Sequence, residues 1–239
     1  PNSALLTSHI EHPSVRNTAI ILERLGVPVY ELPVLSNGQI DKKALEKLIQ
    51  ENKDIRMLSL MGVNNEIGSL YPIQELTELV RQAAGPRAKS IHIHLDGVQM
   101  MGKIPFNIYE SDADSLSLSA HKLGGPRGVG LLWTKKELQS LYLAGGQEGG
   151  LRGGTENLFG ARALALALDR CLHADNLALQ YDKTTKNTAY FLKNLPKAVS
   201  VFPPSRQPID PLFSPYIVQL IHKRTTRALA IIPNYLFVL

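Results

Sequence analysis

This chain of 239 residues is predicted to be an α/β protein, a mostly parallel sheet sandwiched by helices, followed by the beginning of a smaller C-terminal domain. Three observations carry the prediction. Apolar runs of strand length recur between residues 27 and 134, stretches of helical period separate them, and glycine, proline or asparagine marks the junctions. Repeated strand, helix, strand order places successive strands side by side and parallel, because each helix crosses back over the sheet.

Taken in order, VRNTAIILERL (15–25) has helical period and is closed by Gly26, VPVYELPV (27–34) reads as a strand, and LSNGQI as a turn. Asp41 is placed to cap a second helix, KKALEKLIQ, where a carboxylate accepts from the free N–H groups of the first turn. IRMLSLMGV is the next strand, IQELTELVRQAA the next helix, and SIHIHL, DSLSLS and VGLLWT complete the sheet. From 156 to 194 the pattern is helical, with Ala161, Leu164, Leu166, Leu168, Cys171 and Leu172 among its apolar positions. After LPKAVSVFPP, the segment SPYIVQLI reads as a strand of a second unit. The expected division is 1–160 for the large domain, 161–195 for a connecting helical region and 196–239 for the truncated start of a small C-terminal domain.

Hydrophobic residues make up 44% of the chain and charged residues 20%, which excludes disordered and collagen-like classes. No apolar run reaches the roughly 18 to 20 residues a membrane helix needs, so a soluble protein without a membrane partner is expected. The longest candidate, IIPNYLFVL, is interrupted by Pro233 and Asn234. The net charge is +5, yet no basic stripe interleaved with aromatics appears, so no nucleic-acid partner is expected. A single cysteine, Cys171, excludes an internal disulfide framework and fits a reducing compartment, with the cytoplasm as the default. It lies in a helical apolar pattern and reads as a core or helix-surface residue.

Ligands of open α/β sheets bind beyond the carboxyl ends of the strands. Three polar clusters fall there: VNNEIG, DGVQ and SAHK. In SLSAHKLGGPRGVG, Lys122 precedes Gly124, Gly125 and Gly128, whereas the lysine of a nucleotide P-loop follows its glycines. The remaining readings are a surface charge, a phosphate contact or a covalent lysine, the last of which needs desolvation or nearby positive charge to free its amine. Asp96, at the end of a buried strand, requires a cation or hydrogen-bond donors to offset its desolvation. A protonated pyridine nitrogen would serve, and Gln99, three residues on, has an amide for a phenolic oxygen. The rival reading is a metal site, since His92, His94 and Asp96 form an HxHxD pattern, but it leaves SAHK unexplained and no metal is expected.

HLDGVQMMGKIPFN, DADSLSLSAHKLGGPRGVGLLW and GGQEGGLRGGTEN, with TSHIEHPSV and MGVNNEIG upstream, resemble in order and spacing the signature series of the cysteine desulfurases, over about residues 5 to 165. These are pyridoxal 5'-phosphate enzymes of aminotransferase class V and fold type I. The resemblance implies that Lys122 joins the cofactor covalently and later moves protons at the substrate's α-carbon, while Asp96 pairs with the pyridine nitrogen and Gln99 with the ring hydroxyl. It further implies that His12 stacks on the ring, that Asn65 lies near the ring hydroxyl and substrate carboxylate, and that Ser119 and His121 hold the phosphate. Thr155 matches a residue that reaches the phosphate of the neighbouring subunit's cofactor, which implies a homodimer. Ser119 and His121 would share a face by the period of two along an extended strand, leaving Lys122 to point the other way.

The implied reaction takes L-cysteine to L-alanine and passes the sulfur, as an enzyme persulfide, to an acceptor or scaffold protein for iron–sulfur cluster or thio-cofactor assembly. The family's nucleophilic cysteine lies in a Ser- and Ala-rich loop with no counterpart in this sequence, and TTRALAIIPNYLFVL departs from the family pattern. A fragment with impaired sulfur transfer is therefore the expectation. The alternatives are a selenocysteine lyase or another class V lyase, and a non-catalytic binding module.

Overall fold

The computed structural model describes residues 3–140, 145–222, 228–232 and 235–236. It opens on β1 (Ala4–Ser8), a strand absent from the sequence reading. All five of its residues are buried, so it lacks the alternation that marks a half-exposed strand. Its polar end is satisfied internally, with Thr7 Oγ1 donating to the Ser59 carbonyl at 3.0 Å.

The remaining elements of the first unit fall close to their predicted positions: α1 (Pro13–Arg24), β2 (Val29–Leu32), α2 (Lys42–Glu51), β3 (Ile55–Met61), α3 (Ile73–Ala84), β4 (His92–Asp96), β5 (Ser115–Ser119) and β6 (Gly130–Thr134). Asp41 caps α2 as expected, accepting from the backbone N–H of Lys43 at 3.0 Å and of Ala44 at 3.1 Å. The six strands form one sheet in the order β2-β1-β3-β4-β5-β6. All neighbours are parallel except β5 and β6. The connection between those two, residues 120–129, carries no crossover α-helix, so the chain returns antiparallel along the sheet edge.

Leu6, Leu58, Leu95 and Leu116 lie in the core from four adjacent parallel strands, and α2 and α3 cover it with Leu45, Ile49, Leu76 and Val80. Ladder pairing sets Met61 opposite Asp96 and Asp96 opposite Ser117, so β3, β4 and β5 reach the same edge of the sheet together. Asp114 Oδ2 accepts from the Ile93 N–H and from Arg81 Nη2, each at 2.8 Å, which ties β4 to α3 and to the entry of β5.

The helical stretch expected from 156 to 194 is two helices, α4 (Leu158–Leu172) and α5 (Ala174–Lys193), separated by His173 in an extended conformation. Leu164, Leu168 and Cys171 face inward, one turn apart, while Leu166 and Leu172 are exposed. Beyond them β7 (Val199–Phe202), β8 (Val218–His222), β9 (Ala228–Ile232) and β10 (Tyr235–Leu236) form an antiparallel four-stranded sheet. The terminal stretch TTRALAIIPNYLFVL, read as departing from the pattern, lies partly outside the described residues. Between β7 and β8 the chain returns to the first unit: Leu70 N donates to Leu212 O at 2.9 Å and Ser214 N to Gly68 O at 2.7 Å. Gly68 is needed at this contact, because it has φ of 77° and a Cβ there would stand 2.6 Å from the Ile217 carbonyl oxygen. Among the described residues no helix is long and apolar enough to cross a membrane.

Leu95 is 1% exposed at the centre of the strand that delivers Asp96. Leu95→Ala is expected to lower stability by about 3 kcal/mol, read as a reduced urea midpoint at unchanged slope.

Candidate functional site

The carboxyl ends of β3, β4 and β5 open onto a cleft of about 350 Å³. Seven of the eight residues singled out in the sequence line it: His12, Asn65, Asp96, Gln99, Ser119, His121 and Lys122. Thr155 does not; it is exposed in the glycine-rich loop before α4. A larger cleft of about 500 Å³ lies between the start of α3 and residues 104–111, but its lining includes Glu75, Glu78 and Glu110 and no basic side chain. The chemistry belongs to the smaller one, where cations, donors and a buried acid meet.

Each side chain is placed by a local device. His12 is the N-cap of α1: its Nδ1 accepts from the Ser14 N–H at 3.2 Å, which leaves Nε2 as the protonated nitrogen of the neutral ring and the exposed imidazole open to the cleft. In VNNEIG the first asparagine does the structural work. Asn64 Oδ1 accepts from the N–H groups of Glu66 and Ile67, both at 2.9 Å, and its Nδ2 donates to Ile10 O at 3.0 Å. Asn65, half-buried beside it, is thereby held at the cleft.

Asp96 is 9% exposed, and its Oδ1 accepts from the Val98 N–H at 2.9 Å. Among the described residues it has no ion-pair partner. A buried carboxylate with one backbone donor is under-compensated, and the cleft is where a cation can reach it. Gln99 is buried too, its Oε1 accepting from Lys103 Nζ at 2.7 Å.

SAHK departs from the extended geometry expected for it. Ser119 ends β5, and Ala120–Lys122 form one turn of 3-10 helix, so the period of two does not extend to His121. The two side chains meet by a different route, with Ser119 Oγ 2.9 Å from His121 Nδ1. The turn is pinned by Ala120, whose N–H donates to Val129 O at 3.0 Å and whose carbonyl accepts from Leu123 and Gly125, both at 2.9 Å. Gly124, at φ of 83°, supplies the left-handed residue that lets the chain close back on Ala120. Partial desolvation, then the positive charges of Lys122, Arg127 and Lys103, hold His121 below the usual imidazole range. This end of the cleft is electropositive.

The HxHxD pattern does not assemble as a ligand set. His92 Nε2 and His94 Nδ1 both turn to the Ser115 hydroxyl, at 2.8 and 2.7 Å, while Asp96 lines the cleft. Cys171 sits half-buried on α4 with its Sγ 3.6 Å from the Leu123 carbonyl, as its apolar pattern implied.

Sequence reasoning missed Ser14, Met61, Val63 and Val98 in the lining, and it missed two charged groups behind it. Glu11, 3% exposed, accepts at Oε1 from Ser8 Oγ at 2.7 Å and from the Met61 N–H at 3.2 Å, while its buried Oε2 has no partner among the described residues. Burial raises its pKa to about 7, with the Asp96 charge pushing the same way. Lys103 is the second: burial, reinforced by Lys122, lowers its amine to about 8. Neither had a sequence signal beyond its place inside a motif.

A lysine after one buried parallel strand and an acid after its neighbour, facing a common cleft at the sheet edge, define the class of fold type I pyridoxal phosphate-dependent proteins. The aminotransferase class-V family model matches residues 1–209, and the chain belongs to that family. Among its relatives it is 43% identical over 166 residues to a NifS/IcsS protein homolog of Lactobacillus delbrueckii subsp. bulgaricus, covering 68% of this chain and 41% of that one. It is 35% identical over 198 residues to the cysteine desulfurase IscS of Dictyoglomus turgidum, covering 82% and 48% respectively. A solved NifS-like protein superposes with a TM-score of 0.76 at 32% identity, over 93% of this chain and 58% of that one. The solved structure of SspA in complex with cysteine superposes with a TM-score of 0.68 at 28% identity, over 92% and 58%. The chain thus spans about half the length of the curated relatives it matches.

The family depends on pyridoxal phosphate, and the cleft fits that group on its own chemistry. Its buried, unpaired carboxylate suits a protonated ring nitrogen. The electropositive end near Ser119 and His121 suits a phosphate, and Lys122 lines the same cleft.

Glu11 gives the apo protein a pH signature. Between about pH 4.5 and 7 the folded state keeps a proton that the unfolded chain releases, so this contribution to stability is full below pH 4.5 and is lost as pH rises through 7. Glu11→Gln is expected to abolish that slope and to gain on the order of 3 kcal/mol over the parent at pH 8 relative to pH 4, measured by urea unfolding at both values.

Proposed function

We propose that residues 1–160 form the cofactor-holding unit of a cysteine desulfurase that acts on L-cysteine in the cytoplasm. The observation that carries this reading is the single cleft at the ends of β3, β4 and β5 that gathers Lys122, Asp96, Gln99, Asn65, His12, Ser119 and His121. L-cysteine and a thiol become L-alanine and a persulfide: the carbon–sulfur bond breaks, a sulfur–sulfur bond forms, and the substrate carbon takes up a proton. The persulfide sulfur then passes to an acceptor or scaffold protein for iron–sulfur cluster or thio-cofactor assembly.

Bound pyridoxal phosphate supplies an electron-withdrawing ring that stabilises negative charge at the substrate's α-carbon. Lys122 Nζ would hold the cofactor covalently and would carry protons to and from the substrate's α-carbon. The Asp96 carboxylate holds the ring nitrogen protonated, and Gln99 and Asn65 serve the ring hydroxyl. The His12 imidazole, in the lining of the cleft, would serve the cofactor ring. Ser119 Oγ and the His121 ring take the phosphate, supported by the surrounding positive charge. Cys171, with its thiol turned to Leu123, has no part in the reaction.

A homodimer belongs to the same proposal. Thr155 is exposed beside Leu158 and Phe159, which are 74% and 93% exposed, and Leu132 on β6 is 54% exposed. A second copy covering these apolar residues would bring Thr155 to the partner's phosphate. Phe159→Asp is expected to shift the protein toward monomer in light scattering; an unchanged mass would remove this face from the interface.

The central test is incubation with pyridoxal phosphate followed by removal of the free cofactor. The protein is expected to retain a visible absorption band that Lys122→Ala abolishes. A band of equal intensity in that variant would overturn the assignment of Lys122, and alanine release from L-cysteine tests the reaction.

A further inference from the structure

We propose that Lys103 is a positioning residue of the cofactor site, fixing which end of the Gln99 amide faces the cleft. This rests on the reading that the cleft holds pyridoxal phosphate.

Gln99 lines the cleft at 7% exposure, and Lys103 stands behind it, half-buried and outside the lining. The residues after β4 wind into a helical turn: Met100 and Met101 donate to the Gly97 carbonyl at 3.0 and 2.9 Å, and Lys103 and Ile104 to the Met100 carbonyl at 3.1 and 2.9 Å. That winding puts positions 99 and 103 on one side, where residues four apart meet. Gly102, at φ of 69°, could not carry a Cβ without contact at 2.8 Å to both Leu123 Cδ2 and Cys171 Cβ. The turn is packed hard against the SAHK loop and α4.

Lys103 Nζ donates to Gln99 Oε1 at 2.7 Å. An amide has an accepting oxygen and a donating nitrogen, and an ammonium, which has no acceptor, disfavours the flipped rotamer, in which two donors would face each other. The Nε2 donor is therefore the end left for an oxygen in the cleft. Without Lys103 both rotamers become accessible, and in one of them the amide oxygen would face the ring hydroxyl oxygen. Below about pH 8 Lys103 is an ammonium that can only donate, so the selection holds there, whereas the neutral amine above that pH has a lone pair that can also accept.

The test uses the chain loaded with pyridoxal phosphate and reads the pH titration of its retained absorption band. Lys103→Met, which keeps the length of the side chain and removes the donor, is expected to move the midpoint by about half a pH unit or more, in the same direction as Gln99→Ala. The double variant should move no further than Gln99→Ala alone, and Lys103→Arg, which retains a donor, should restore the parental midpoint. A midpoint unmoved in Lys103→Met, or shifts that add in the double variant, would overturn the inference while leaving the cofactor reading intact. If Lys103→Met fails to fold by circular dichroism, Lys103→Arg decides, a displaced midpoint counting against the role. A parent chain that retains no band overturns the cofactor reading and this inference together.

Discussion

Everything at the site depends on the parallel register of β3, β4 and β5. Because Met61, Asp96 and Ser117 stand level across three strands, the loops that follow are delivered to one edge, and residues from three distant parts of the chain face one cleft. The register itself is set by burial on both faces. A slip of one residue would turn Leu58, Leu95 and Leu116 away from the positions they fill in the core. The packing that stabilises the fold is thus the same packing that aligns the chemistry.

The electrostatics follow from that alignment. Among the described residues Asp96 is brought into the interior without an ion-pair partner, and Glu11, distant in the chain on the loop after β1, is buried near it. Burial raises the proton affinity of Glu11, and the nearby Asp96 charge pushes the same way. On the opposite side Lys103, Lys122 and Arg127 concentrate positive charge near His121. The cleft therefore has an acidic wall and a basic end before anything binds, which matches a ligand with a cationic ring nitrogen at one side and an anionic group at the other.

Much of this was legible in the residues. Five of the sheet's strands, the cap at Asp41 and the strand ends could be read from periodicity and turn chemistry; Lys122, Asp96 and Gln99 stood out by their chemistry near those ends, while His12, Asn65, Ser119, His121 and Thr155 came from the family resemblance. β1 could not, since ALLTS has no alternation and its hydroxyls look like loop chemistry until Thr7 is seen bonded to Ser59. The split between α4 and α5 at His173 was equally silent, as no glycine or proline marks it. Within VNNEIG the residues alone give no reason to separate two adjacent asparagines; the resemblance selects Asn65, and the hydrogen bonds of Asn64 show it to be the one that builds the loop.

The sequence by itself determined the order of the strands' apolar runs, the residue types at their ends and the family resemblance, because these are local or linear properties. The tertiary structure decided which of those residues meet. It turned the step from Ser119 to His121 from a strand into a 3-10 turn and still joined their side chains, it set His92 and His94 on Ser115 away from a metal arrangement, and it buried Glu11 and Lys103 behind the cleft. The physical reason is that desolvation and hydrogen-bond partnership depend on neighbours far apart in the chain, and no linear pattern records them.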